Sequence, residues 1–344
     1  MDIESLVIKK FREFTRNEPT KIVNLPLSGS ERLYFRITYD IRSVIGVFNP
    51  GKEENEAFIG FTDHFGSLDL PVPEMLRYYP EENVYFIQDL GDTNLFTWLV
   101  NNRQDPDFEK KLVTLYKKVL TKLLLFQIEG IKNLDMELCY PHRTFDRQSM
   151  MWDMNYFKYM FLKLVAAPFN EKRMERDFNT LADFLLEAGS DYFLYRDFQS
   201  ANIMIINDEP WFIDYQGGRG GAPQYDPASL LFDAKALLPQ SIRDLLIEYY
   251  VDEFTRVTGQ DTLWFRLYYP AFCLIRIMQA LGAYGFRGLV ERKPGFADSI
   301  IPAVRDILWI ISGEKLGVEL PELFSIIESI PGLPRYKNLK DKGI

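Results

Sequence analysis

The feature that most constrains the fold of this chain is a change of pattern near Gly91. Before it lie short segments rich in Val, Ile, Tyr and Phe and separated by turn residues, which are typical of β-strands. After it, apolar residues recur at the three- and four-residue intervals of amphipathic helices. Strands are predicted at residues 21–25, 32–39, 42–48 and 83–88. Helices are predicted at residues 2–17, 53–65, 93–101, 107–129, 147–165, 171–188, 239–258, 261–284 and 297–312.

One β-like patch interrupts the helical part of the chain. Residues 203–206 and 211–214 are short apolar runs, and the turn Asn207–Pro210 separates them, which predicts a hairpin. We therefore expect an α+β fold with a small β-rich lobe of residues 1–91 and a larger helical lobe of residues 92–344. Ligands bind preferentially between such units, so the junction is the expected site.

Composition excludes several classes of function. The net charge is −9 and no basic run is present, so a nucleic-acid binder is not expected. No apolar run approaches the ~18–20 residues of a membrane span, and the first residues do not resemble a secretory signal. Cys139 and Cys273 make no disulfide framework, so a cytoplasmic location is expected. His64 and His142 lie outside any CxxC or HExxH pattern, which disfavours a zinc site.

The stretch Tyr195–Asn202 carries the strongest chemical signal. An Asp followed after four residues by an Asn is the spacing of a kinase catalytic loop. Phosphoryl transfer needs a carboxylate that orients the attacking hydroxyl, and Asp197 is the candidate catalytic base. It also needs hard oxygen ligands for Mg²⁺, and Asn202 is a candidate metal ligand.

Asp214 is the second candidate metal ligand. It ends the second strand of the predicted hairpin, whereas Asn202 immediately precedes the first strand. Closing the hairpin brings the two side chains together at its open end. Each residue taken singly is more often an ordinary loop or capping residue, but the ordered set of Asp197, Asn202 and Asp214 favours a catalytic site.

Two segments of the amino-terminal lobe are candidates for binding ATP. The turn Ser28-Gly29-Ser30, followed by Arg32, offers backbone N–H groups that can cradle phosphate oxygens. Most Ser-Gly turns are turns only, so its position ahead of the other motifs is what favours the role. At the junction of the lobes, the backbone of Gln88-Asp89-Leu90 is placed to hold an adenine edge.

These residues resemble the aminoglycoside phosphotransferase-like family of small-molecule kinases. The resemblance rests on residues 194–203, on Phe212–Gln216 and on Tyr225–Leu231, where the family commonly has an Asp that steadies the catalytic loop. It extends from about Leu25 to the helix after Leu263. It implies a protein-kinase-like fold with a nucleotide-binding first lobe, ATP and Mg²⁺ as cofactors, and a small-molecule alcohol as acceptor.

Within the family, four stretches resemble the anomeric N-acetylmuramate/N-acetylglucosamine kinase branch. They are residues 30–36, 88–91, 145–157 and 213–216. This resemblance implies phosphorylation of the C1 hydroxyl of the sugar and a pathway link to a sugar-phosphate nucleotidyltransferase in cell-wall recycling. An aminoglycoside, choline or another small alcohol is the alternative acceptor.

Two departures from the usual kinase pattern stand out. Tyr195 occupies the place of the usual His in the catalytic loop. The third strand lacks the Lys that neutralises the α- and β-phosphates, since Gly46 or Val47 falls near that position. Arg32 or Lys52 is the candidate substitute. The missing Lys also leaves open a catalytically silent, nucleotide-binding scaffold.

Four residues are candidates for contacts with the acceptor. Gln199 lies within the catalytic loop, and Arg219 follows Asp214 in a glycine-rich segment predicted to be flexible. Asp153 and Arg276 lie on predicted helices that flank the cleft. An Arg could grip the carboxylate of N-acetylmuramate with two hydrogen bonds. For residues on helices, however, a structural or solvent-exposed role is more common.

Overall fold

The computed structural model describes residues 2–26, 32–313 and 316–341. The strands are β1 Lys21–Asn24, β2 Leu33–Tyr39, β3 Arg42–Phe48, β4 Met75–Tyr79, β5 Val84–Gln88, β6 Tyr192–Leu194, β7 Ile203–Ile206, β8 Glu209–Phe212 and β9 Arg219–Gly221. The helices are α1 Ile3–Thr15, α2 Lys52–Ser67, α3 Leu95–Asn102, α4 Phe108–Ile128, α5 Arg147–Phe157, α6 Glu171–Leu186, α7 Tyr225–Leu231, α8 Gln240–Thr258, α9 Thr262–Tyr284, α10 Ile300–Gly313, α11 Pro321–Ser329 and α12 Pro334–Asp341. The predicted α+β class is confirmed.

The amino-terminal part is a five-stranded antiparallel sheet in the order β1-β2-β3-β5-β4. Helix α1 covers one face, where Val7 and Phe11 join a small core of sheet residues that includes Phe86. Gly46 on β3 allows this close packing, because a Cβ atom there would lie 2.8 Å from Cγ1 of Val7. A lysine at position 46 is therefore excluded by α1.

The other face of the sheet belongs to a core that continues into the helical part. Val47 and Tyr85 belong to the same buried cluster as the helices that follow Gly91. Phe58 of α2 stacks on Tyr215 with 5.2 Å between ring centroids. The predicted boundary after residue 91 falls between β5 and α3, but the packing of side chains is continuous across the two parts.

Helices α5 and α9 pack against each other, and α5 contacts the catalytic loop through Asp153. Helix α5 begins after Asp146, whose side chain accepts the N–H of Ser149 at 2.8 Å. Its buried face includes Asp153. The two helices approach closely at Gly282, where a Cβ would lie 2.8 Å from the backbone of Tyr156. This packing fixes the positions of the polar side chains of α5 and α9 relative to one another.

Several predicted elements are wrong at their edges. The predicted turn at 207–210 is a two-residue turn, since β8 already begins at Glu209. Asn207 and Asp208 have φ values of 50° and 60°, the conformation of a type I′ hairpin turn. The segment after Asp214, predicted to be flexible, contains β9, which pairs with β6 and is buried.

Other elements were missed because their hydrophobic pattern is short or weak. Strand β4 and helices α7 and α11 have no counterpart in the prediction. The predicted helix over 147–165 ends as an α-helix at Phe157 and continues as a π-helix, Lys158–Leu162. Helix α12 also has no counterpart in the prediction.

In the part of the chain that the structure describes, no helix combines the length and apolar character that crossing a membrane requires.

Candidate active site

The catalytic loop connects β6 to β7, and a buried carboxylate holds its first residues. Asp226, on α7, accepts the backbone N–H groups of Tyr195 at 2.8 Å and Arg196 at 3.0 Å. Burial raises the pKa of Asp226 to about 7, while these two hydrogen bonds act in the opposite direction. This is the loop-steadying role that the family resemblance implies for the segment Tyr225–Leu231.

Arg196 forms a second anchor. Its Nη1 and Nη2 atoms donate to the two carboxylate oxygens of Asp153 at 2.7 and 2.6 Å, and Nη1 also donates to the Tyr225 hydroxyl. Its backbone lies in the left-handed region with φ 81°, a conformation that costs energy for a residue with a side chain. The bidentate ion pair offsets that cost and holds the residue next to Asp197 in one orientation.

The contacts of Asp153 do not favour its predicted role in binding substrate. The residue is buried and both of its oxygens bond Arg196. Asp233 pins the far end of the same loop, where it accepts the backbone N–H of Ser200 at 3.1 Å and its hydroxyl at 2.5 Å. The sequence analysis missed the anchoring roles of Asp153 and Asp233, because their partners lie 43 and 33 residues away.

Asp197 itself is half-buried, and among the described residues its carboxylate accepts no hydrogen bond. Burial and the nearby charge of Asp214 raise its pKa above the ordinary value, whereas Arg196 and Arg276 act against the rise. Gly217 faces the carboxylate, and a Cβ there would lie 3.8 Å from Oδ2 of Asp197. Asp197 is therefore a carboxylate with a raised pKa, and among the described residues both of its oxygens are free to accept a hydrogen bond.

The hairpin brings Asn202 and Asp214 together. Nδ2 of Asn202 donates to Oδ2 of Asp214 at 3.2 Å and to the carbonyl of Asp197 at 2.9 Å. Asp214 has a φ of 68°, so its backbone is also in the left-handed region. The Tyr195 hydroxyl, in place of the usual His, donates to the carbonyl of Ile213 at 2.6 Å. Tyr195 thus ties the catalytic loop to the residue that precedes Asp214.

The donor set fits Mg²⁺ bound together with phosphates. Because Nδ2 of Asn202 donates to Asp197 and Asp214, its Oδ1 atom is the one that would serve as a ligand, together with the Asp214 carboxylate. Mg²⁺ is commonly held by one or two protein oxygens, with phosphates and water completing the octahedron. Among the described residues, no group of three His, Cys, Asp or Glu side chains forms a self-sufficient metal site.

On the side of the amino-terminal lobe, the predicted phosphate turn Ser28-Gly29-Ser30 lies outside the described residues. Arg32, which follows it, is 2% exposed. Its Nη2 donates to Oε2 of Glu54 on α2 at 2.7 Å, and its Nη1 donates to Oδ1 of Asp214 at 3.2 Å. This arginine therefore connects the sheet, α2 and the candidate metal ligand.

The junction of the lobes is held by the side chain of Asp89. Arg36 and Ser43 each donate to it, Ser43 at 2.7 Å, and the N–H of Gly91 donates at 3.0 Å. Gln88 pairs with the backbone of Glu74 through both its backbone N–H and its side chain. The side chains of Gln88 and Asp89 thus shape the connector, and adenine binding by the backbone from Gln88 to Leu90 stays a prediction.

The remaining predicted substrate residues lie near Asp197. Gln199 is half-buried, and its side chain has no hydrogen-bond partner among the described residues. Arg219 is buried and donates to two backbone carbonyls, those of Gly217 at 3.0 Å and Tyr140 at 3.2 Å. Burial and the neighbouring Arg196 lower the pKa of Arg219 to about 10, so it stays protonated at neutral pH.

Arg276 is also buried. It donates from Nε to the Ser229 hydroxyl at 2.8 Å and from Nη1 to Gln279 at 2.7 Å. Within the described residues, neither Arg219 nor Arg276 pairs with a carboxylate. The hydrogen bonds of these two buried cations therefore go to neutral acceptors, while the charge of Asp153 acts on Arg219 and those of Asp197 and Asp226 act on Arg276 from a longer distance.

Comparison with known proteins bears on this geometry. A model of the phosphotransferase enzyme family matches residues 22–264. The chain belongs to this family. The match includes Asp197, Asn202 and Asp214, and it confirms at the level of the family the phosphotransferase predicted from the catalytic loop.

One curated relative is the N-acetylmuramate/N-acetylglucosamine kinase of Neisseria meningitidis serogroup B (strain ATCC BAA-335 / MC58), which is 25% identical over 235 residues. The match spans 66% of this chain and 66% of the relative, slightly under two thirds of the relative's length. The predicted resemblance to this branch is thus supported by an independent comparison.

Solved structures of phosphotransferases share the fold. The choline kinase LicA from Streptococcus pneumoniae is 12% identical, with a TM-score of 0.59 over 89% of this chain and 98% of that one. The amicoumacin kinase hAmiN, in complex with AMP-PNP and Ca²⁺, is 11% identical, with a TM-score of 0.61 over 92% of this chain and 95% of that one. At these identities the likeness establishes the protein-kinase-like fold and leaves the substrate open.

Proposed function

We propose that the protein is an ATP-dependent kinase whose acceptor is the anomeric hydroxyl of N-acetylmuramate or N-acetylglucosamine. The observation that carries the proposal is the position of the Asp197 carboxylate, which has no hydrogen-bond partner among the described residues, next to Asn202 and Asp214. Family membership supports phosphoryl transfer. The sugar is supported by the relative from N. meningitidis.

In this reaction Asp197 accepts the proton of the acceptor hydroxyl while the oxygen attacks the γ-phosphorus of ATP. A bond forms between that oxygen and the phosphorus. The bond from the γ-phosphorus to the β–γ bridging oxygen breaks, and ADP leaves with the electron pair. The raised pKa of Asp197 makes it a stronger base than an exposed aspartate.

Mg²⁺, held by Asn202 and Asp214, would supply the positive charge that phosphoryl transfer requires between the phosphates. The chain's own contribution is orientation. Gln216 donates to Oδ1 of Asp214 at 2.7 Å, and Asn202 donates to its Oδ2. These contacts hold the Asp214 carboxylate toward the cleft.

The charges near Asp197 favour an acceptor with an anionic group. Arg219 and Arg276 are buried cations without a carboxylate partner among the described residues. Two further acids of the site, Asp153 and Asp233, are occupied by Arg196 and Ser200. A polycationic aminoglycoside or a choline would be repelled by these two arginines. The carboxylate of N-acetylmuramate would instead complement it.

A panel of acceptors with ATP, followed by phosphorus NMR of the product, tests the proposal. We expect turnover of N-acetylmuramate or N-acetylglucosamine, with the new phosphorus signal coupled to the anomeric proton. The Asp197→Asn variant is the blank. Phosphate on another carbon would contradict the anomeric assignment. Turnover of choline or an aminoglycoside, but of neither sugar, would show that the acceptor belongs to one of those classes instead.

The silent-scaffold alternative was motivated by the missing strand lysine. Arg32 weakens the case for this alternative. It pairs with Glu54 of α2, so a cation other than a strand lysine is present on this side of the site. Binding of ATP without its consumption in the presence of any acceptor would restore the alternative. Nucleotidyltransferases use sugar 1-phosphates as substrates. We therefore propose that such an enzyme consumes the product in a cytoplasmic pathway.

A further inference from the structure

Every kinase of this fold must place a cation against the nucleotide phosphates, and it does so commonly with a lysine on the third strand that pairs with a glutamate of the following helix. In this chain β3 carries no such cation. Val47, which faces α2, is fully buried among apolar side chains. Position 46 is a glycine packed against α1. The charge must therefore come from another element.

Arg32 stands where such a charge is needed. It immediately precedes β2, and the pairing of Leu33 with Phe48 places it at the end of β3 and near the start of α2. Its side chain reaches Glu54 with one nitrogen and Asp214 with another. The glutamate is part-exposed and the arginine is almost wholly buried, so the cation is the better fixed of the two.

The chemistry of arginine explains how one residue can serve both contacts. A guanidinium stays protonated and directs several N–H groups in a rigid plane, whereas an ammonium acts as a point charge. With Nη2 held by Glu54, Nη1 is directed to the carboxylate that we propose as a metal ligand. Phosphates bound to a metal at Asp214 would therefore lie within reach of Nη1.

Lys52, the other candidate from the sequence, does not share this placement. Its side chain is 67% exposed, and its amine lies 3.7 Å from Glu56, one turn along the same helix. Such a pair on an exposed helix face contributes little and leaves the amine in solvent. Lys52 is therefore a matched control rather than a competitor.

We propose that Arg32, aligned by Glu54, is the residue that neutralises the nucleotide phosphates in place of the strand lysine. The inference rests on the proposed use of ATP but not on the identity of the acceptor. It assigns Glu54 a positioning role through Arg32. It also predicts that affinity for the phosphates, as distinct from affinity for the adenine ring, depends on the arginine.

The test measures calorimetric binding of Mg–ATP and of adenosine to the full chain without acceptor. We expect Arg32→Gln to weaken Mg–ATP by about 10- to 100-fold, the range for a hydrogen bond to a charged group, and to leave adenosine nearly unchanged. Arg32→Lys should retain most of the affinity for Mg–ATP. Glu54→Gln should lose about 3- to 10-fold through misalignment of the arginine. Lys52→Gln should bind both ligands as the wild type does.

An unchanged ratio of Mg–ATP to adenosine affinity in folded Arg32→Gln would overturn the proposal. If that variant does not fold, an unchanged ratio in Glu54→Gln overturns it, because Glu54 is 44% exposed and its substitution is tolerable. A wild type that binds Mg–ATP no more tightly than adenosine would also overturn it. Failure of every sugar in the acceptor panel would instead overturn the acceptor and leave this result standing.

Discussion

The two sides of the proposed site are built differently. On the side of the helical part, Asp226, Asp153 and Asp233 each hold a different point of the catalytic loop. On the side of the sheet, the described contact to the proposed metal ligand Asp214 comes from Arg32. The loop of the proposed base is thus held by several buried carboxylates, whereas the proposed phosphate-facing charge depends on one arginine.

Physical reasons underlie this difference. A proton acceptor must lie within hydrogen-bond distance of the reacting hydroxyl, so a small displacement of the loop removes its effect. Coulomb attraction falls only with the inverse of distance, so a cation can approach phosphates from a neighbouring strand and remain useful. A cation just before β2 can therefore take the place of one on β3, whereas the proposed base cannot be supplied from a different element.

The largest effect is expected for the base. Asp197→Asn keeps the shape of the side chain but cannot accept the proton, so kcat should fall by about 10²- to 10⁴-fold. Affinity for Mg–ATP should change little, because the carboxylate faces the acceptor. Steady-state kinetics and calorimetry measure the two quantities. A loss of less than tenfold in kcat would contradict the assignment of Asp197.

The next effect is expected for the anchor of the loop. Asp226→Asn places an amide NH₂ against one of the two backbone N–H groups, of Tyr195 and Arg196, that the carboxylate accepts, which should lower the free energy of unfolding by about 1–3 kcal/mol. Displacement of Asp197 should also lower kcat by about tenfold or more. Urea unfolding and kinetics measure both. Asp208→Asn, in the exposed hairpin turn, is the control, and equal behaviour of the two variants would contradict the anchoring role.

A smaller effect separates the two sugars. Arg219→Gln should raise KM for N-acetylmuramate by about tenfold, the effect of one lost charged hydrogen bond, and leave KM for N-acetylglucosamine nearly unchanged. The control is Arg143→Gln, since Arg143 is 62% exposed and pairs with Glu137. Equal increases for both sugars would show that Arg219 acts through the fold instead of through the carboxylate of the acceptor.

The smallest effect concerns pH. Turnover requires ionised Asp197, so kcat/KM should fall as the pH drops through its pKa, which burial and Asp214 raise above 3.8. The folded protein then holds this proton more tightly than the unfolded chain, so ionisation of Asp197 costs stability at neutral pH. Asp197→Asn should therefore raise Tm slightly at pH 7 and not at pH 3. An acid limb at or below pH 3.8, or a lower Tm at pH 7, would contradict this.

The hairpin shows how far local patterns could predict the site. Two apolar runs around a turn were enough to predict that Asn202 and Asp214 lie together, although the turn is two residues shorter than expected. The roles of Asp153 and Arg219 could not be predicted in this way. Asp153 pairs with a residue 43 positions away, and Arg219 lies in a strand whose partner precedes the hairpin.

The sequence by itself determined the order of the long helices, the α+β class and the set of Asp197, Asn202 and Asp214, because spacing and hydrophobic period are local properties of a chain. The tertiary structure decided which charges face one another. Arg32 and Lys52 were equal candidates in the sequence, and only folding buried the first against Glu54 and Asp214 and left the second in solvent. Burial and pairing depend on contacts between distant segments, so they emerge only when β2, α2 and the hairpin are packed together.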